Sequence, residues 1–191
     1  MNGELAQMVA PSPSPKHHGH PVVRVLLEAR PGVGKTTVAR RVLDLVRQDG
    51  VTVAGFTTVE LCEARQRVGF AIETVDGARA VLAHVDLHGP PRVGKYGVDV
   101  VAFERLAVPA LAVPARIVVI DELGKMELAS AAFRETVRDL FTRPVDVVAT
   151  VLAFAHPVTD ELKARPNVDV VRVTAGNRDA LPKRLQHRLL G

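Results

Sequence analysis

Tryptophan is absent, and cysteine and tyrosine each occur once. One cysteine, Cys62, excludes an intrachain disulfide and a zinc site built on several thiolates. It fits a reducing compartment, and a cytoplasmic location is the expectation. No apolar run reaches the roughly 20 residues that cross a bilayer, so no membrane partner is expected. The N-terminal stretch "MNGELAQMVAPSPSPKHHGHP" lacks the apolar core of a signal peptide. Its Pro, Ser, His and Gly read as a disordered tail over 1–20, ahead of a single domain over 21–191. His17, His18 and His20 in that tail stand either as a metal contact or as a solvated segment. Aromatics are also few. Tyr96 and six phenylalanines do not interleave with basic residues, so nucleic acid is not an expected partner. A net charge of +4 favours anions in general.

The chain of 191 residues suits one domain with a sizeable core, and 47% of it is hydrophobic. The apolar residues fall in short, valine-rich runs. "VVRVLLE" over 22–28 suits a buried strand. "TTVARRVLDLVRQDG" has helical spacing, with Val38, Val42, Leu45 and Val46 on one face and Gly50 as its stop. "VTVAGFTTVEL" and "QRVGFAIETVDG" read as strands, with Asp76-Gly77 as a hairpin signal and "ARAVLAHVD" as a short returning strand. "DVVAFERLAVPAL" reads as a helix whose end Pro109 disturbs. Beyond it strands and helices alternate: "RIVVI", "ASAAFRETVRDLF", "VDVVATVLA", "PVTDELKAR", "VDVVRVT" and "NRDALPKRLQHRLL". That alternation predicts an α/β fold with a mainly parallel sheet covered by helices on both faces.

Two segments approach the Gly, four residues, Gly-Lys-Ser/Thr pattern of a phosphate loop, each with one fault. "ARPGVGKTT" has Ala29 in place of the first glycine, and "GPPRVGKYG" has Tyr96 in place of Ser or Thr. A phosphate loop needs a strand before it and a helix after it, so that successive N–H groups and the helix N-terminus face the anion. Only the first segment has both flanks. It places Ala29, Arg30, Pro31, Gly32, Val33, Gly34, Lys35, Thr36 and Thr37 around the phosphates. Lys35 reaches the outer phosphates, and the Thr36 hydroxyl is a magnesium ligand. If position 29 needs a left-handed backbone, alanine costs about 1–2 kcal/mol there; if it is extended, alanine is harmless. The second segment reads as a mobile loop, with Lys95 and Tyr96 either in a plain surface turn or in a lid over the nucleotide.

"RIVVIDELGKMEL" supplies an acidic pair at a strand end. Asp121 suits a magnesium-linked carboxylate, and Glu122 suits the base that orients or deprotonates an attacking water. The rival is a helix-capping acidic pair. Lys125 either stabilises leaving-phosphate charge or pairs with Glu127. Thr150 either senses the terminal phosphate or bonds a neighbour. His156 suits a cap before Pro157. Asn177 and Arg178 follow the last strand and contact base or ribose, with helix capping by Asn177 as the rival.

"RPGVGKTT", "GFTTVE", "VGFAIETVDG", "VGKYGVDV", "VVIDELGKMEL", "VVATV", the His156-Pro157 pair and "NRD" together resemble the nucleoside-triphosphatase family first recognised in thermophiles, whose animal members are called cancer-related nucleoside-triphosphatase. The resemblance runs from about Val22 to Leu190. It implies a P-loop fold of the additional-strand, catalytic-glutamate type, a monomer, and slow magnesium-dependent hydrolysis of several nucleoside triphosphates to diphosphate and phosphate. It matches Gly32, Gly34, Lys35, Thr36 and Thr37 to the loop, Asp121 to the metal-linked acid and Glu122 to the base. It draws Lys95 and Tyr96 toward the nucleotide. Ala29 departs from the usual glycine. Two other functions compete: a small-molecule kinase on the same fold, and a nucleotide-dependent switch or RNA-binding module.

Overall fold

The computed structural model describes residues 21–191. The tail expected over 1–20, with its three histidines, lies outside the described residues. The strands are β1 (Arg24–Ala29), β2 (Val53–Glu63), β3 (Gln66–Thr74), β4 (Arg79–His84), β5 (Arg92–Val93), β6 (Tyr96–Val98), β7 (Ile117–Leu123), β8 (Asp146–Leu152) and β9 (Asp169–Arg172). The helices are α1 (Lys35–Gln48), α2 (Val100–Ala112), α3 (Ala131–Leu140), α4 (Pro157–Lys163) and α5 (Leu181–Leu190). A short 3-10 turn covers Glu127–Ala129.

The nine strands of the described residues join one sheet in the order β5-β6-β4-β3-β2-β7-β8-β1-β9. From β2 to β9 every neighbour is parallel. From β2 outward through β3, β4, β6 and β5 every pair is antiparallel. The expected parallel sheet is thus the half that carries the site, and an antiparallel extension continues it. β8 lies between β1 and β7, the additional strand that separates the loop strand from the acidic strand.

The central strands are buried on both faces, which is why they read as unbroken apolar runs rather than alternating ones. Val25, Leu26 and Leu27 of β1 are fully buried, and each such side chain contributes roughly 1.5–3 kcal/mol. Along β1 these side chains point alternately to the two faces. Val25 and Leu27 pack with Val38, Val42 and Val46 of α1 and Leu185 and Leu189 of α5. Leu26 packs in the opposite layer with Phe103 of α2, Phe133 of α3 and Leu162 of α4. Phe56, Phe103 and Phe133 meet there at centroid distances of 4.9 to 5.8 Å.

Three local expectations change. α2 continues through Pro109 to Ala112, started by Asp99, whose carboxylate accepts from the Ala102 N–H at 2.8 Å. α5 begins at Leu181 rather than Asn177, with Pro182 in its first turn, where a missing N–H costs nothing. The "GPPRVGKYG" segment is a hairpin, β5–β6, at the sheet edge rather than a mobile loop.

Candidate nucleotide site

β1 ends at Ala29, and α1 begins at Lys35. Gly32 (φ 78) and Gly34 (φ 113) both take the left-handed backbone that side chains resist. Ala29 does not need it: it pairs with Leu152 in register as the last residue of β1. The extended alternative holds, and its methyl group is buried in the α1–α5 layer. No side chain caps α1 and no acid sits in its first turn, so its leading N–H groups and positive end are left for an anion. Arg30, Pro31, Gly32 and Thr37 are exposed around this end, and Val33 is half-buried.

Lys35 is buried, yet its Nζ has two oxygen neighbours. It donates to the Ala29 carbonyl at 3.2 Å and lies 3.5 Å from Glu122 Oε2. Glu122 keeps 24% of its side chain exposed, which leaves a path for water. Burial raises its pKa, Lys35 opposes that shift, and the charge of Asp121 adds to it.

Asp121 is fully buried. Its Oδ1 accepts from Thr150 at 2.6 Å and from Thr36 at 3.1 Å. Its Oδ2 is buried without a hydrogen-bond partner. Burial pushes its pKa up, and the two hydroxyls and the Arg40 charge work against that. Thr58 donates to the Asp121 carbonyl oxygen, and Arg40 donates to the Thr58 carbonyl at 2.8 Å. Thr36, Thr58, Thr150 and Arg40 thus fasten one aspartate from α1, β2 and β8.

Thr150 takes the neighbour role: with β8 beside both β1 and β7, its hydroxyl meets Asp121. Arg178 reaches the phosphate loop, donating to the Val33 carbonyl at 3.2 Å, with its Cδ 3.4 Å from where a Cβ on Gly34 would stand. Asn177 is occupied otherwise. Its side chain accepts from the Thr174 N–H at 2.8 Å and donates to the Arg172 carbonyl at 2.9 Å, closing the turn after β9. Lys125 is exposed and sits over the Phe154 ring at 5.1 Å, not on Glu127. His156 caps α4, its Nδ1 accepting from the Val158 N–H at 3.2 Å.

Lys95 and Tyr96 lie apart from this cluster. Tyr96 is buried against Phe70, and its hydroxyl accepts from Arg67 Nε at 3.1 Å; Lys95 lies over the Tyr96 ring. Five strands separate β6 from β1, on the order of 29 Å along the sheet at about 4.8 Å per strand. None of the hydrogen bonds or ring contacts of these two residues reaches the Lys35 loop.

Sequence reasoning passed over Thr58, Arg40, Gly124 and Glu127 as site residues. "GFTTVE" held Thr58 in plain view, but only the register Thr57↔Asp121 brings it alongside. Glu127 is 3% exposed, with its pKa raised to about 8 by burial first and by the Glu122 charge second. No short-range signal in the sequence marks it, because its burial comes from the packing of the whole chain.

The strand, glycine loop and helix, with an acidic strand one place removed, define a P-loop nucleotide-binding α/β protein. Residues 24–186 match the family model described as NTPase. The chain belongs to this family. It is 39% identical over 170 residues to nucleoside-triphosphatase THEP1 of Thermotoga petrophila, covering 87% of this chain and 93% of that one. It is 36% identical to the human cancer-related nucleoside-triphosphatase, covering 82% and 91%. The crystal structure of THEP1 from Aquifex aeolicus superposes with a TM-score of 0.78 at 34% identity, covering 87% of this chain and 99% of that one. Among the described residues no helix is long and apolar enough to cross a membrane.

Proposed function

We propose that the chain hydrolyses nucleoside triphosphates to diphosphate and phosphate, with Glu122 as the base and magnesium as the cofactor. One observation carries this reading: Glu122 stands 3.5 Å from Lys35, so a water beside its carboxylate also stands beside the phosphate loop. The names of the relatives point the same way.

The Lys35 loop and the start of α1 bind the phosphates through N–H groups and the ammonium. Glu122 orients the water and takes its proton as oxygen attacks the terminal phosphorus and the bond to the bridging oxygen breaks. A pKa raised by burial makes it a better base than an ordinary glutamate. Thr36 and Asp121 are hard oxygen donors, and the unpartnered Asp121 Oδ2 fits a magnesium ion that takes its other ligands from phosphate and water. Bound there, the ion would neutralise phosphate charge. Arg178 is placed to contact the nucleotide beside the loop. The loop reads phosphates and not bases, which supports a broad base range; slow turnover is what the family resemblance implies. A cytoplasmic location accords with the lone free Cys62, and a monomer is what the family resemblance implies.

Phosphate release from ATP, GTP, CTP and UTP with magnesium, measured for the natural protein and Glu122→Gln, tests this. Release from several triphosphates that disappears in the variant is expected. Equal release by both proteins removes Glu122 from the role.

A further inference from the structure

Glu127 is an acid in an unusual place. It is 3% exposed, and the charges that reach its carboxyl are those of Glu122 and Asp121, both negative. Its carboxyl packs against the Gly124 turn, with Oε2 2.8 Å from where a Cβ on Gly124 would stand. The Leu128 N–H donates to the Gly124 carbonyl at 2.9 Å. This bond closes the turn that follows the acidic strand.

The same glycine is where Glu122 and Glu127 meet. A Cβ on Gly124 would stand 2.8 Å from Glu127 Oε2 and 2.9 Å from Glu122 Oε1. The two carboxyl groups therefore converge over one Cα, and there is no room for a third group. Glu127 fills the buried side. Glu122 is left the side that faces Lys35.

We propose that Glu127 is a positioning residue for the reaction: seated on the Gly124 turn, its side chain holds the Glu122 carboxylate toward Lys35 and the phosphate loop. This rests on Glu122 being the base. Burial keeps Glu127 a neutral acid near neutral pH, so it sits beside Glu122 without repelling it. Without its side chain, Glu122 gains a void to turn into. A glutamine keeps the volume.

The test is steady-state phosphate release from ATP with magnesium by Glu127→Ala, Glu127→Gln, Glu122→Gln and the double variant Glu122→Gln/Glu127→Ala. Glu127→Ala is expected to lower kcat by about 10- to 100-fold, with KM within about threefold, because misplacing a reacting group by an ångström costs that much. Glu127→Gln is expected to recover most of the loss. The double variant is expected to turn over no more slowly than Glu122→Gln alone, since Glu127 acts through Glu122. A general structural defect would raise KM or add its loss to that of Glu122→Gln, and either result overturns the proposal. So does an unchanged kcat in Glu127→Ala while Glu122→Gln is inactive. Full activity in Glu122→Gln instead overturns the base assignment, and this proposal with it. If Glu127→Ala does not fold, Gly124→Ala replaces it. Its Cβ displaces both carboxyl groups, and an unchanged kcat there overturns the proposal equally.

Discussion

Lys35 and Glu122 share an ion pair at 3.5 Å. The lysine belongs to the loop after β1 and the glutamate to the acidic strand β7, so the pair bridges the two halves of the candidate site. On the proposed function, a phosphate arriving there would compete with Glu122 for the ammonium and free the carboxylate for water.

That competition predicts the affinity of Glu122→Gln. Partly exposed ion pairs contribute up to about 1 kcal/mol, so the variant should bind ATP as tightly as the natural protein, or up to about fivefold tighter. Equilibrium titration with a non-hydrolysable analogue checks this. Weaker binding would mean that the pair helps shape the loop rather than competing with it.

Thr150→Val removes the 2.6 Å bond to Asp121 Oδ1 and leaves a buried carboxylate with fewer donors. A cost of about 1 kcal/mol should raise the magnesium needed for half-maximal release by roughly fivefold. Thr150→Ser should restore it. A magnesium requirement that does not move would detach Thr150 from metal binding.

Ala29→Gly looks like a repair of the loop and is expected to repair nothing. Ala29 is an extended strand residue with its methyl group buried. Glycine there costs roughly 0.5–1 kcal/mol of stability. A lower melting temperature with no gain in turnover is the expected pair of results. Faster turnover would show that the loop needs a left-handed residue at 29.

Glu127 has a pKa of about 8 in the fold against an ordinary 4.5. Between those values the folded state keeps a proton that the unfolded state gives up. Stability from this group is full below the ordinary pKa and falls as pH rises, by at most about 1.4 kcal/mol per pH unit. Glu127→Gln stays neutral throughout. Urea unfolding without metal or nucleotide should therefore show the variant gaining on the natural protein from about pH 5 to about pH 8. A constant difference across that range would mean that Glu127 is ionised in the fold.

Much of the site was legible because its signals are local. "VVRVLLE", two glycines and "KTTVARRV" specify strand, left-handed turns and helix through backbone preference and apolar period, and these held to within a residue or two. The edge hairpin was missed because Pro90, Pro91 and Gly94 look like loop chemistry. Its strands are only two and three residues long and exist by pairing with β4 and each other.

The sequence by itself determined the loop, the acidic strand end and the alternation that makes a layered sheet, since each depends on residues a few positions apart. Tertiary structure alone decided which side chains complete the site. Strand order put β8 between β1 and β7 and so set Thr150 on Asp121. Packing of the final helix against α1 accompanies the return of Arg178 to Val33, 145 residues away. Burial turned Glu127 from a plausible lysine partner into a neutral acid beside Glu122. Distance, register and desolvation come from the whole chain folding at once, and no short stretch encodes them.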